Sequence, residues 1–183
     1  MVAPLDLRQR IVGLIEGQAQ RAAAGQPARI VMKLNNLVDE AVISALYDAS
    51  SAGVRIDLVT RGICALRPGI KGLSERIRVR SILGRFLEHS RIFRFGDGED
   101  DEIWMGSADM MHRNLDRRVE VLVRVTDTEH RSRLRGLLDL AVADASAWAL
   151  RADGSWTRGK ADPATPPLQE ILMARARHDM IDR

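Results

Sequence analysis

Aromatic residues make up only 4% of this 183-residue chain, and cysteine occurs once. So few aromatics argue against a single-stranded nucleic-acid platform, which stacks bases on aromatic faces. The lone Cys64 has no partner for an internal disulfide, which fits a reducing cytoplasm. No apolar run approaches the roughly 18 residues that a membrane-spanning helix needs, and no stretch reads as a signal peptide. Internal repeats and low-complexity tracts are missing too. One domain with trimmings is the expectation that remains, because 45% hydrophobic residues in short periodic segments suffice for one buried core.

The net charge of +3 conceals an uneven distribution. Between Arg61 and Arg94 nine basic residues stand against two acidic ones, Glu75 and Glu88, and eight of the nine are arginines. A planar guanidinium suits paired contacts with phosphate oxygens. The window reads either as a solvated face or as an anion site.

Helical spacing of Leu7, Ile11, Ile15 and Ala22 predicts an amphipathic first helix that ends at Gly25 to Pro27. A buried strand over residues 28–33 runs into Asn35-Asn36, a polar strand exit of the kind that faces ligands in α/β sheets. A helix over residues 39–50 follows. Strands at Val54 to Leu58 and around Ile77 to Arg80 are separated by an ordered loop from Ile63 to Ser74. Further on, Val119, Val121, Val123 and Val125 alternate with Glu120, Leu122 and Arg124, which predicts a strand with one apolar face. Thr126 and Glu129 form a capping box for a helix whose Leu134, Leu137, Leu138, Ala141, Ala145 and Trp148 share one side. A short hairpin around Asp153-Gly154, a proline-rich linker over residues 158–167 and a helix from Leu168, with Ile171, Leu172 and Ala176 inward, complete the chain. This order favours an α/β layered domain with a mixed sheet flanked by helices.

The stretch from Arg85 to Arg118 holds the densest chemistry. Two short strands, Arg91 to Phe95 and Glu102 to Met105, flank an acidic turn containing Gly96 and Gly98. A hairpin there brings His89 and Arg91 towards Gly106, Ser107 and Asp109, which together supply a nucleophile or proton carrier, a phosphate partner and small hydrogen-bonding groups. Asp109 reads as a group that orients a neighbour. The acidic residues Asp97 to Glu102 read as a solvated hairpin tip, since nearly consecutive carboxylates repel one another and make a poor metal site. Asp116 reads as an ion-pair partner of Arg117 or Arg118, and His112, His130 and His178 as ordinary surface histidines.

Five runs in order then carry a resemblance: Lys33 to Asp39, Arg61 to Gly69, Ile77 to Ile82, Phe86 to Arg91, and Gly106 to Asp109 continuing through Arg113 to Glu120. Over about residues 4–158 the chain resembles the last domain of bacterial polyphosphate kinase, the family with a phospholipase-D-like fold. The resemblance implies a phospholipase-D-like half over residues 1–158, with residues 159–183 as linker and C-terminal helical tail. It implies reversible transfer of the terminal phosphate of ATP to polyphosphate through a phosphorylated histidine, with Mg2+ as counter-charge. That nucleophilic histidine belongs to the preceding domain, so this chain resembles the second half of the site and is incomplete alone. His89 matches the other catalytic histidine, Arg61 and His89 match nucleotide-phosphate contacts, and Arg118 matches a further arginine beside the phosphates. No metal ligand is implied among this chain's residues.

The implied partners are ATP or ADP, inorganic polyphosphate and the remaining polyphosphate kinase domains, in the cytoplasm and without a membrane or nucleic acid. Two other functions stay open. A homo-oligomer in which two copies pair their histidines would give a phospholipase-D-type phosphodiesterase or nuclease, although Arg91 and Asp109 replace its usual lysine and asparagine. A noncatalytic polyphosphate-binding module is the third.

Overall fold

Leu7, Ile11, Ile15 and Gln18 recur at helical spacing, and all four are buried along one stripe of the first helix, α1 (Leu7–Ala23). The computed structural model describes residues 1–161 and 164–181. Strand β1 (Val2–Ala3) precedes α1, and β2 (Arg29–Leu34) follows it. Asp39 then caps α2 (Glu40–Ser51), its side chain accepting the Val42 N–H at 3.1 Å. Next come β3 (Arg55–Thr60), β4 (Ile77–Ser81), β5 (Arg91–Phe95), β6 (Glu102–Gly106), the short α3 (His112–Asp116) and β7 (Glu120–Val125). Helix α4 (Thr128–Ala143), the hairpin of β8 (Trp148–Leu150) and β9 (Trp156–Arg158), and α5 (Leu168–Ile181) complete the order.

Among the described residues these strands form one mixed sheet in the order β1-β7-β6-β5-β2-β3-β4-β8-β9. The pairs β2–β3 and β3–β4 are parallel, and the other pairs are antiparallel. Strand β2 is buried from Ile30 to Leu34 because both of its faces are covered, which is why it reads as a continuous apolar run. One face, with Met32, Leu58 and Phe93, packs on α1 and α2; the other, with Val31, Val59, Ile92 and Ile103, packs on Leu138, Ala141 and Val142 of α4. The α/β layering and mixed sheet therefore stand as expected.

Several expectations do not. The valine face expected here is mostly uncovered: Val119, just before β7, and Val121 and Val123 within it are 81%, 42% and 54% exposed, while Glu120 and Leu122 are buried. Leu122 joins the core on the α1 side, and α4, lying over β3, β5 and β6, covers only Val125 of the opposite row. The α4 cap is Asp127, whose side chain accepts the His130 N–H at 2.9 Å, and not Thr126. Helix α4 stops at Ala143, since the Asp144 carboxylate turns the chain by accepting both the N–H and the hydroxyl of Ser146. Ala145 and Trp148 thus lie outside the helix.

The acidic turn is not wholly solvated either. Asp101 is 2% exposed and binds Arg94 at 2.6 Å, Arg135 at 2.9 Å and Arg131 at 3.1 Å. Burial pushes its carboxyl up, but hydrogen bonds from Arg135 and Arg131 and the charge of Arg94 outweigh this and hold it below the usual carboxylate range. Asp116 pairs with Arg8 at 2.6 Å and His112 at 3.1 Å rather than with Arg117 or Arg118, because α3 lies against the start of α1 and α2. On α5, Leu168 and Gln169 are buried, Ile171 and Leu172 are half-buried, and Ala176 is exposed.

Candidate active site

The parallel strands β2 and β3 end together, and their carboxyl ends build the site. Arg61 N–H donates to the Leu34 carbonyl and Gly62 N–H to the Asn35 carbonyl, so the two strand exits are tied where they leave the sheet. Asn36 Oδ1 accepts the Ile63 N–H at 3.0 Å. Any side chain at Gly62 would collide with that Asn36 amide, which explains the glycine.

Asp109 locks this junction to the β5–β6 hairpin. Its Oδ1 accepts the backbone N–H of Asn35 at 2.7 Å and of Asn36 at 3.2 Å, and its Oδ2 meets Arg91 Nη2 at 3.1 Å. Burial pushes the carboxyl up, yet the Arg91 hydrogen bond, the Asn35 N–H, the Arg91 charge and the Asn36 N–H hold it below its ordinary range. Asp109 orients Arg91, as its sequence context suggests. The Asn35 amide fits with its oxygen accepting from Arg91 (2.6 Å to Nη2) and its nitrogen donating to the Glu88 carbonyl at 2.9 Å.

Arg91 also holds His89. Its Nη1 donates to the His89 carbonyl at 3.0 Å and lies 3.1 Å from Nδ1 and 3.3 Å from Nε2. His89 is exposed. The register places Arg91 opposite Gly106, so the hairpin brings His89, Arg91 and Asp109 to one end. Gly106 has no room for a Cβ, because the β7 backbone at Val121 lies against it.

Arg118 enters from the same end, two residues before β7 starts. Its side chain is 53% exposed, with Nη1 4.0 Å from Glu120. Glu120 is buried and accepts the Asn114 amide at 2.6 Å. The topology thus places Arg61, His89 and Arg118 at one edge of the sheet. Arg61, with Gly62, Ser81, Leu83, Trp148 and Trp156, lines a groove of about 320 Å³. A roomier groove of about 840 Å³ runs between α4 and α5 and contains none of the three.

Lys33, Glu88, Asn35, Asn36, Asn114 and Glu120 are the site residues that sequence reasoning left without roles. The polar Asn35-Asn36 strand exit was the available signal for the first pair. Lys33 sits in an apolar strand and meets Glu88 at 2.7 Å, both largely buried; nothing in its sequence neighbourhood marks that pairing. Asp39, Glu40 and His112 are the described residues whose donor atoms, within 4.8 Å of one another, have metal-ligand spacing. Arg8 already supplies positive charge there, bonded to Asp39 at 2.9 Å. Hydrogen bonds to the Asp116 and Glu40 carboxylates raise the His112 imidazole above its ordinary value, which favours its protonated form beside these carboxylates.

The family model for the polyphosphate kinase C-terminal domain 2 matches residues 1–169. The chain belongs to this polyphosphate kinase domain family. Polyphosphate kinase of Streptomyces coelicolor is 57% identical over 172 residues, covering 93% of this chain and 23% of that protein. Polyphosphate kinase of Thermosynechococcus vestitus is 48% identical over 98% of the chain and 25% of its own length. The chain therefore spans about a quarter of the length of these polyphosphate kinases. A crystal structure of polyphosphate kinase from Porphyromonas gingivalis superposes with a TM-score of 0.91 at 32% identity, over all of this chain and 28% of that one. NucT from Helicobacter pylori, at 15% identity and a TM-score of 0.57, covers 78% of this chain and 93% of NucT and shares the fold alone. Among the described residues, no helix of this polyphosphate kinase domain is long and apolar enough to cross a membrane.

Proposed function

We propose that this domain supplies one side of an ATP:polyphosphate phosphotransferase site and is incomplete alone. Arg61 and Arg118 hold phosphate oxygens, and His89 acts as acid–base or electrostatic partner to a nucleophilic histidine on another domain. The observation that carries the reading is the exposed His89 held by the Arg91–Asp109 pair at the sheet edge where Arg61 and Arg118 also emerge. In such a transfer the bond from the terminal phosphorus to the ADP oxygen breaks and one to the nucleophile forms. A second displacement passes the phosphoryl group to the chain-end oxygen of polyphosphate.

Phosphoryl transfer passes through a loose transition state and rewards positioned positive charge more than covalent help. A guanidinium donates in pairs to phosphate oxygens. Arg91, fixed by Asp109 and donating to the His89 carbonyl, positions His89 rather than binding phosphate itself.

Mg2+, when bound, neutralises phosphate charge. This domain's own carboxylates near the site are a poor cage for it: Asp109 is taken by Arg91 and two backbone N–H groups, Glu88 by Lys33, and Glu120 by Asn114. The ion fits as a companion of the nucleotide phosphates, as Mg2+ commonly is.

The test joins this domain to the remaining domains of a polyphosphate kinase. His89→Ala should abolish transfer from labelled ATP to polyphosphate with the fold retained. Transfer at the unmodified rate in that variant would overturn the assignment. Hydrolysis of a phosphodiester by this chain alone would favour a paired phosphodiesterase instead.

A further inference from the structure

The segment carrying His89 is fastened from the far end of the chain. Gln169, in the first turn of α5, accepts the Phe86 N–H at 2.9 Å and donates to the Phe86 carbonyl at 2.8 Å and to Glu88 Oε1 at 2.7 Å. One amide thus occupies both backbone groups of Phe86, as a neighbouring strand would, and also the carboxylate next to His89. Any side chain at Gly84 would collide with this amide, so the contact is close on both sides.

Gln169 is itself held in place. Leu168, 1% exposed, sits in the core under α4 with Ile82 and Ile92, and its N–H donates to the buried Asp144 carboxylate at 2.9 Å. Gln169 is 7% exposed. Arg91 Nη1 anchors the His89 carbonyl at 3.0 Å, and Arg85, Phe86, Leu87 and His89 all have exposed side chains. Glu88 is the exception, pinned by Lys33 on its second oxygen, with its carbonyl on Asn35.

We propose that Gln169 is a positioning residue for His89, its amide setting the reach of the histidine into the site through Phe86 and Glu88. The inference rests on the phosphate-binding reading of His89 given above. Two side chains hold Glu88 between them, Lys33 from the sheet and Gln169 from the terminal helix, and His89 is the next residue. Releasing Gln169 frees the backbone of Phe86 and leaves the Glu88 carboxylate on Lys33 alone.

The experiment follows the imidazole signals of His89 by NMR in the full chain, together with the chain's affinity for inorganic tripolyphosphate. Two variants remove the clamp: Gln169→Ala, and Gln169→Glu, which keeps the volume but sets a carboxylate against Glu88. A third, Leu172→Ala, trims α5 where it packs on the core and leaves the Gln169 amide in place. Both Gln169 variants should shift or broaden the His89 signals, leave those of His112 and His130 in place, and weaken tripolyphosphate binding about tenfold, or about 1.4 kcal/mol. Leu172→Ala should leave His89 unchanged. Unaltered His89 signals in the Gln169 variants, or equal effects from Leu172→Ala, would overturn the proposal. A failure of the unmodified chain to bind tripolyphosphate would instead count against the phosphate-binding reading, while the NMR comparison still judges Gln169.

Discussion

Arg91 Nη2 lies 3.1 Å from Asp109 Oδ2, and the other terminal nitrogen of the same guanidinium donates to the His89 carbonyl. This single side chain joins the β5–β6 hairpin, the exits of β2 and β3, and the exposed histidine. Asp109→Ala would leave a largely buried guanidinium and two backbone N–H groups without their acceptor. The expected cost is about 3–5 kcal/mol in denaturant unfolding, accompanied by loss of phosphate binding. Unchanged stability would show that the pair does not hold the junction.

The same pair has a pH signature. The folded Asp109 carboxyl titrates below its ordinary value of 3.8, so its stabilisation is fully present above that value and is lost as pH falls through the depressed folded value. The stability gap between the unmodified chain and Asp109→Asn should stay constant from neutral pH down to about 5 and then narrow in more acid solution. A gap that grows on acidification would contradict this.

His112 has the opposite sign. Asp116 and Glu40 raise its imidazole above 6.5, so the attachment of α3 to α2 is strongest below 6.5 and fades as pH rises through the raised value. An NMR titration should place its midpoint above 6.5. His112→Gln should remove any pH dependence of α3 between neutral and alkaline solution while leaving tripolyphosphate binding intact.

Asp101 separates stability from function. Asp101→Asn removes the buried charge, and turns one of the two oxygens shared by Arg94, Arg131 and Arg135 into a donor. A loss of several kcal/mol, on the order of 3–5, is expected. Phosphate affinity of the folded fraction should stay within twofold, because this cluster lies at the turn between β5 and β6, away from the end that carries His89. A selective loss of affinity with unchanged stability would contradict that division.

Gly106→Ala should disturb the β6–β7 pairing beside Ser107, since the Val121 backbone occupies the space a methyl needs. Overpacking of this kind costs about 1–3 kcal/mol, read as a lower thermal midpoint. An unchanged midpoint would mean that the two strands separate freely there.

Much of the fold was legible because both faces of the central strands are covered: β2 reads as an unbroken apolar run, and α1 shows its stripe at helical spacing. Strand β7 misled because four alternating valines look like a core face, whereas burial depends on where α4 ends, which no local pattern records. The Asp101 cluster was hidden for a similar reason. Two of its three arginines, Arg131 and Arg135, lie 30 and 34 residues away on α4, so adjacent carboxylates looked merely mutually repelling. At the site, His89, Arg91 and Asp109 were close enough in sequence for a hairpin to join them. The Lys33–Glu88 pair and the Gln169 contacts, the latter 81 and 83 residues apart, join elements distant in sequence, and only tertiary packing reveals them.

The central claim is that this domain binds phosphate chains but lacks its own nucleophile. Calorimetric titration of the chain with ATP and with long-chain polyphosphate in the presence of Mg2+, run beside incubation with terminally labelled ATP, tests it most directly. Both ligands should bind, more weakly in Arg61→Ala and Arg118→Ala, and the protein should carry no stable label. Label that appears on the chain and disappears in His89→Ala, or no binding of either ligand, would contradict it.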